Sequence, residues 1–111
     1  MMGRPRAAVV SSSVEELARA LRAHYGSRLV DLVLFGSRAR GEPEAGSDYD
    51  LLVVLQGDVD PREERQKVGD IVYGVCWEHD VVIMCHFIDA DRYRREQSPF
   101  MLNLRREGVP V

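Results

Sequence analysis

Long apolar runs are missing from this 111-residue chain. No stretch approaches the roughly 20 residues that a helix needs to cross a bilayer, which excludes a helical membrane protein. The basic start Met1-Met2-Gly3-Arg4-Pro5-Arg6 leads only into Ala7-Ala8-Val9-Val10 before three serines, too short for the core of a secretory signal. Cysteine is almost absent. Cys76 and Cys85 are the only two, which excludes a disulfide framework and fits core thiols in a reducing, cytoplasmic compartment. A zinc site built from Cys76, His79, Cys85 and His86 is disfavoured, because adjacent strand residues 85 and 86 point to opposite faces. A surplus of basic residues is also lacking. The net charge of −3 makes long DNA or RNA a poor expectation, although a local basic site remains compatible with it. There is no internal repeat or low-complexity linker.

What is present is the patterning of one small α/β (α+β) domain, expected to span residues 13–111 behind a flexible tail of residues 1–12. Ser13 and Glu16 form a capping-box pattern, and Val14, Leu17, Ala18 and Leu21 recur at helical spacing. A first helix from Val14 to Tyr25, ended by Gly26, is predicted; His24 near its end reads as a surface or helix-end residue. Leu29 to Phe35 is branched, apolar and of strand length. A second strand from Asp48 to Leu55 is apolar on both faces after its acidic start, so it belongs in the sheet interior. Asp60, Pro61 and Glu63 begin another helix, with Val68, Ile71, Val72 and Val75 as its stripe despite Gly69 and Gly74. A β-prone run follows from Asp80 to Ile88. Asp89-Ala90-Asp91 caps a short helix, and Ser98-Pro99 opens a last one running to Gly108. Val109-Pro110-Val111 carries no pattern that assigns it.

Chemistry concentrates in two short stretches. In Gly36-Ser37-Arg38-Ala39-Arg40-Gly41, a strand runs directly into a small-residue turn. Gly36 permits close backbone approach, Ser37 offers a hydroxyl and an amide, and Arg38 and Arg40 are donors suited to phosphate oxygens. Helical amides beginning there would also face an anion. In Gly46-Ser47-Asp48-Tyr49-Asp50-Leu51, the two acids lie one residue apart at a strand start, so both project from the same face. Two carboxylates held that close are tolerated when a divalent cation lies between them. Asp31 precedes the turn and reads as a structural or solvent-facing acid.

Taken together, Gly36-Ser37-Arg38-Ala39-Arg40-Gly41 and Ser47-Asp48-Tyr49-Asp50-Leu51 resemble the signature of the polymerase-beta-like nucleotidyltransferase superfamily. The chain is most similar to its minimal branch, the antitoxin halves of two-component systems whose other half is a helical HEPN-type toxin. The resemblance implies a mixed sheet with packed helices and a third carboxylate on a later strand. Asp80 is the candidate for it, ahead of Glu78, since Asp80 opens the next β-prone run.

The resemblance further implies transfer of AMP from ATP to a hydroxyl, with Asp48, Asp50 and Asp80 holding two Mg²⁺ ions. Gly36, Ser37, Arg38 and Arg40 would bind the nucleotide phosphates. The acceptor would be a tyrosine of the HEPN-type toxin, silenced by the AMP it receives. Two other readings stay open: a binding antitoxin that does not turn over, and a small-molecule transferase of the antibiotic-modifying type working as a homo-oligomer. An apolar C-terminal segment, Phe100, Met101, Leu102 and Leu104, offers a surface for a partner.

Overall fold

The computed structural model describes residues 11–36 and 48–111. Within them the element order is α1 (Ser12–Tyr25), a 3-10 turn (Gly26–Arg28), β1 (Leu29–Phe35), β2 (Tyr49–Leu55), α2 (Pro61–His79), β3 (Ile83–Asp89), α3 (Ala90–Arg95), α4 (Pro99–Glu107) and β4 (Val109–Pro110). The strands form one mixed sheet in the order β3-β2-β1-β4. β1 is antiparallel to both β2 and β4, whereas β3 runs parallel to β2 after the α2 crossover. This is the α/β architecture that the alternation of periods predicts, with β2 in the interior as its two apolar faces require.

Local chemistry accounts for most boundaries. Asp60 accepts from the Arg62 amide at the start of α2, Asp89 caps α3, and Ser98 caps α4 through the Met101 amide. At α1 the cap is Ser11, which accepts from the Val14 amide, rather than Ser13. Ser13 instead lies buried in the first turn and shares a hydrogen bond with Ser11 Oγ. Ser11 and Ser12 therefore belong to the helix start; of the proposed tail, residues 1–10 lie outside the described part. α2 tolerates Gly69 and Gly74 because its stripe is long enough to hold it, and Val68 and Val75 are fully covered.

Val109–Pro110 adds a short strand that the sequence pattern does not announce. Proline has no amide to donate, so it is accepted only at a sheet edge, which is where β4 lies. Gly108 makes the docking possible: a Cβ there would fall 2.5 Å from both the Leu104 carbonyl oxygen and Val33.

The sheet has two unlike faces. α1 and α2 cover one, burying Leu17, Leu21, Leu32, Leu34, Leu51, Val53, Leu55 and Val68 in a continuous core. α3 and α4 cover part of the other, where Val33, Leu52, Val54, Ile88, Met101 and Leu104 form a smaller cluster. Met101 and Leu104 are thus core residues, 0% and 3% exposed, and cannot offer the partner surface expected of them. Phe100 and Leu102 from the same segment are about half exposed. Among the described residues, no helix is long and apolar enough to cross a membrane.

Candidate active site

Alternation along β2 decides which side chains reach the incompletely covered face. Tyr49, Leu51 and Val53 enter the α1/α2 core, so Asp50, Leu52 and Val54 point the other way. Asp48 precedes the strand and is exposed, while Asp50 is half-buried. Antiparallel pairing sets Phe35 opposite Asp50, so the end of β1 and the start of β2 meet.

Gly36 lies at that junction. Its φ is +84°, a region that residues with a Cβ rarely adopt. A Cβ at this position would also fall 2.7 Å from Asp50 Oδ2. Two independent constraints therefore demand glycine, and the second shows that Gly36 stands close to the carboxylate. Gly36 and Asp50, the first residue of one short motif and the second acid of the other, thus come close together although they are fourteen positions apart in the chain. Ser37, Arg38 and Arg40 lie outside the described residues.

Asp80 is not where its sequence context suggests. It is the C-cap of α2 and adopts the left-handed conformation, φ 55° and ψ 49°. Its amide and that of Val81 both turn back to the Cys76 carbonyl. Aspartate tolerates that conformation better than the β-branched residues after it, so the last helical turn claims Asp80 before the strand can. β3 begins only at Ile83, level with Tyr49, and Met84 lies level with Asp50. The structure thus brings Asp48 and Asp50 to one end of the sheet and does not bring Asp80 into the strand beside them.

Among the described residues, the group of three ligating side chains within 4.8 Å of one another is Glu16, Glu78 and His79, on the helices of the other face. There His79 Nε2 stands 2.9 Å from Glu16 Oε1, and its hydrogen bond holds the Glu16 carboxyl below the usual range. Glu78 is consequently not a substitute for the missing acid. The disfavoured cysteine–histidine site is absent as well: Cys85 is buried in the α1/α2 core while His86 faces Asp50.

His86 is the neighbour of Asp50 that pattern reading overlooks. Its Nε2 lies 3.4 Å from Asp50 Oδ1, with the two side chains 43% and 33% exposed. The Phe35 ring stands 5.3 Å from the imidazole, and Phe100 from α4 packs edge-on against Phe35 at 5.5 Å. An aromatic pair thus supports the histidine beside the acid. Strand alternation puts His86 on one face with Met84 and Ile88, but only the parallel register with β2 reveals that this is the face of Asp50.

Residues 14–97 match the nucleotidyltransferase domain family. Two curated relatives come from Methanocaldococcus jannaschii. “Putative protein adenylyltransferase MJ0604” is 44% identical over 48 residues, 43% of this chain and 46% of its own length. “Putative protein adenylyltransferase MJ1305” is 32% identical over 76 residues, 68% of this chain and 52% of its own. The chain therefore spans about half the length of the curated relatives it matches.

Two solved structures share the fold. A toxin-antitoxin crystal structure with AMP-PNP superposes with a TM-score of 0.58 at 18% identity, covering 86% of this chain and 70% of that one. A crystal structure described as a putative nucleotidyltransferase from Sulfolobus solfataricus superposes at 0.56 and 22% identity, covering 99% and 90%. With the family match extending over residues 14–97, most of the chain, this protein belongs to the nucleotidyltransferase domain family.

Proposed function

We propose that the chain transfers AMP from ATP to a hydroxyl group, that of a tyrosine on a HEPN-type helical toxin, and so acts as the antitoxin of a pair. The observation that carries this reading is the close approach of Gly36, the first residue of a phosphate-suited stretch, to the Asp50 carboxylate, a metal-suited acid. Asp48 and Asp50 would hold Mg²⁺, whose charge would orient the triphosphate and stabilise the departing pyrophosphate. Hard oxygen donors suit that ion.

The chain's own residues would do the rest. Gly36 leaves room for a phosphate to approach the backbone, and Ser37, Arg38 and Arg40 would grip the phosphates that follow. The acceptor oxygen would attack the α-phosphorus as the bond to pyrophosphate breaks. The relatives named as protein adenylyltransferases and the toxin-antitoxin neighbour favour a protein acceptor. Phe100, about half exposed and packed against Phe35 on this face, would contribute to its contact.

A second reading has one specific observation in its favour. With Asp80 held in the helix cap, the third carboxylate is missing from the strand, as in a binding antitoxin that neutralises its partner without turnover. Intact-mass measurement on the purified chain with its genomic neighbour, ATP and Mg²⁺ separates the two. The transferase reading expects one AMP added to the neighbour and at least ~100-fold less transfer by Asp50→Asn, equivalent to losing about 3 kcal/mol of transition-state stabilisation. A stable complex without added mass would instead establish the binding antitoxin. AMP appearing on a small hydroxyl compound with no partner present would establish a small-molecule transferase.

A further inference from the structure

We propose that two copies of this chain pair edge to edge through β3 and α2, on a two-fold axis that passes near Gly69 and Cys85. Among the described residues β3 is an outer strand, paired with β2 alone. The Tyr49 amide donates to the Val82 carbonyl at 2.9 Å, and Tyr49 is level with Ile83. Alternation in a parallel ladder then turns the backbone groups of Val82, Met84 and His86 toward β2, and those of Ile83, Cys85 and Phe87 outward. One outward carbonyl, that of Cys85, accepts from Arg65 Nη2 at 3.4 Å. An open edge of this kind is a template for another strand.

Beside the edge, an apolar groove of about 430 Å³ runs between α2 and β3, on the sheet face away from Asp50. Val72, Tyr73, Cys76, Val82 and Phe87 line it, and Gly69 lies in its wall. Tyr73 is 68% and Trp77 77% exposed, and their rings stack at 6.3 Å, so this ridge is ordered before anything covers it. Nothing within one copy requires glycine at position 69. A Cβ there would meet no atom within 4 Å beyond its own stretch of helix, yet glycine inside a helix costs roughly 1 kcal/mol relative to alanine. The missing side chain lowers the wall midway between Arg65 and Tyr73, where a second helix can approach closely.

Charge selects a second copy of this chain as the occupant, and sets its direction. Arg65 is exposed at one end of the groove, 6.0 Å over the Phe87 ring, and Asp80 is exposed at the other end beside Tyr73 and Trp77. Among the described residues neither has an ion-pair partner. A two-fold axis near Gly69 sets Arg65 of each copy against Tyr73, Trp77 and Asp80 of the other, so the cation–π and ionic contacts form twice. The same rotation lays β3 antiparallel to its copy and leaves both Asp50 faces uncovered.

Light scattering on the chain alone after gel filtration should give twice the chain mass. Gly69→Leu should fill the groove and weaken the pair at least ~30-fold. Its urea midpoint, read at a dilution where both proteins are monomers, should be no lower than the parent's, because leucine favours helix and meets open space. Arg65→Glu should weaken the pair as well, and Asp80→Lys in the same chain should recover part of the loss. The Ile83 and Phe87 amides should exchange hydrogen slowly in the parent dimer and rapidly in Gly69→Leu. A monomer at every concentration would overturn this inference, as would a dimer that Gly69→Leu leaves unchanged or whose Ile83 and Phe87 amides exchange freely. If the chain is monomeric alone and Gly69→Leu abolishes its complex with the genomic neighbour, the surface belongs to that partner and the pairing of copies is wrong.

Discussion

The two faces of the sheet are built to different standards. Beneath α1 and α2, apolar side chains from β1, β2 and β3 are almost completely buried, and even a carboxylate is sealed in with its partners. Glu64, 1% exposed, receives a hydrogen bond from Tyr25 at 3.0 Å and an ion pair from Arg28 at 2.9 Å. Among the described residues, α3 and α4 cover the other face only in part, and it carries the partly exposed Asp50 and His86 beside Phe35. The difference teaches how a small domain divides its sheet: one face is sealed and supplies stability through burial, while the other keeps polar side chains partly exposed.

Met101→Asp should have the largest effect on this contrast. Met101 is fully buried beneath α4, so a carboxylate there is expected to cost about 4 kcal/mol or more. A urea or thermal melt should show one cooperative loss of structure, because both layers share β1 and β2. Two separate transitions would show instead that the covered face folds without the other.

Arg28→Ala probes the covered face. It leaves the buried Glu64 carboxylate with Tyr25 alone and also removes Arg28's bonds to the Gln56 and Asp58 carbonyls. A loss of roughly 2–3 kcal/mol in urea unfolding is expected, while the amide signals of Gly36 and Asp50 should remain near their original positions. Large shifts at those two amides would mean that the faces are mechanically coupled.

The smallest effect concerns alkaline pH. Burial pushes the Cys85 thiol from its ordinary 9.0 up to about 12, and burial together with the Glu64 hydrogen bond also raises the Tyr25 phenol. Both groups stay protonated in the folded chain over a range in which the unfolded chain has ionised. Stability is thus complete below pH 9 and falls as pH rises toward 12. Unfolding midpoints at pH 8 and pH 10.5 should show this decline, and Cys85→Ala should make it shallower. An equal decline in Cys85→Ala would exclude the thiol as a contributor.

Legibility in the sequence varied with the range of the interaction. β1 matches its predicted limits, and α2, α3 and α4 start at the caps read from Asp60, Asp89 and Ser98, because a cap bonds an amide only two or three residues away. The first helix starts two residues early because Ser11 and Ser13 are both competent caps, and the choice depends on which serine can be buried. Asp80 was misplaced for a related reason. Its neighbours favour a strand, yet the end of a nineteen-residue helix needed a left-handed residue, and aspartate can serve. β4 escaped notice since two residues carry no periodicity.

By itself the sequence determined the alternation of elements and the place of the two short motifs, since each depends on backbone geometry over a few residues. Only the tertiary structure decided that Gly36 abuts Asp50, that His86 stands in the neighbourhood where an acid was expected, and that Met101 belongs to the core. Those relations follow from strand register, in which a one-residue shift would turn every side chain to the opposite face. Register is set by the packing of the whole sheet between its helices, so no local pattern carries it.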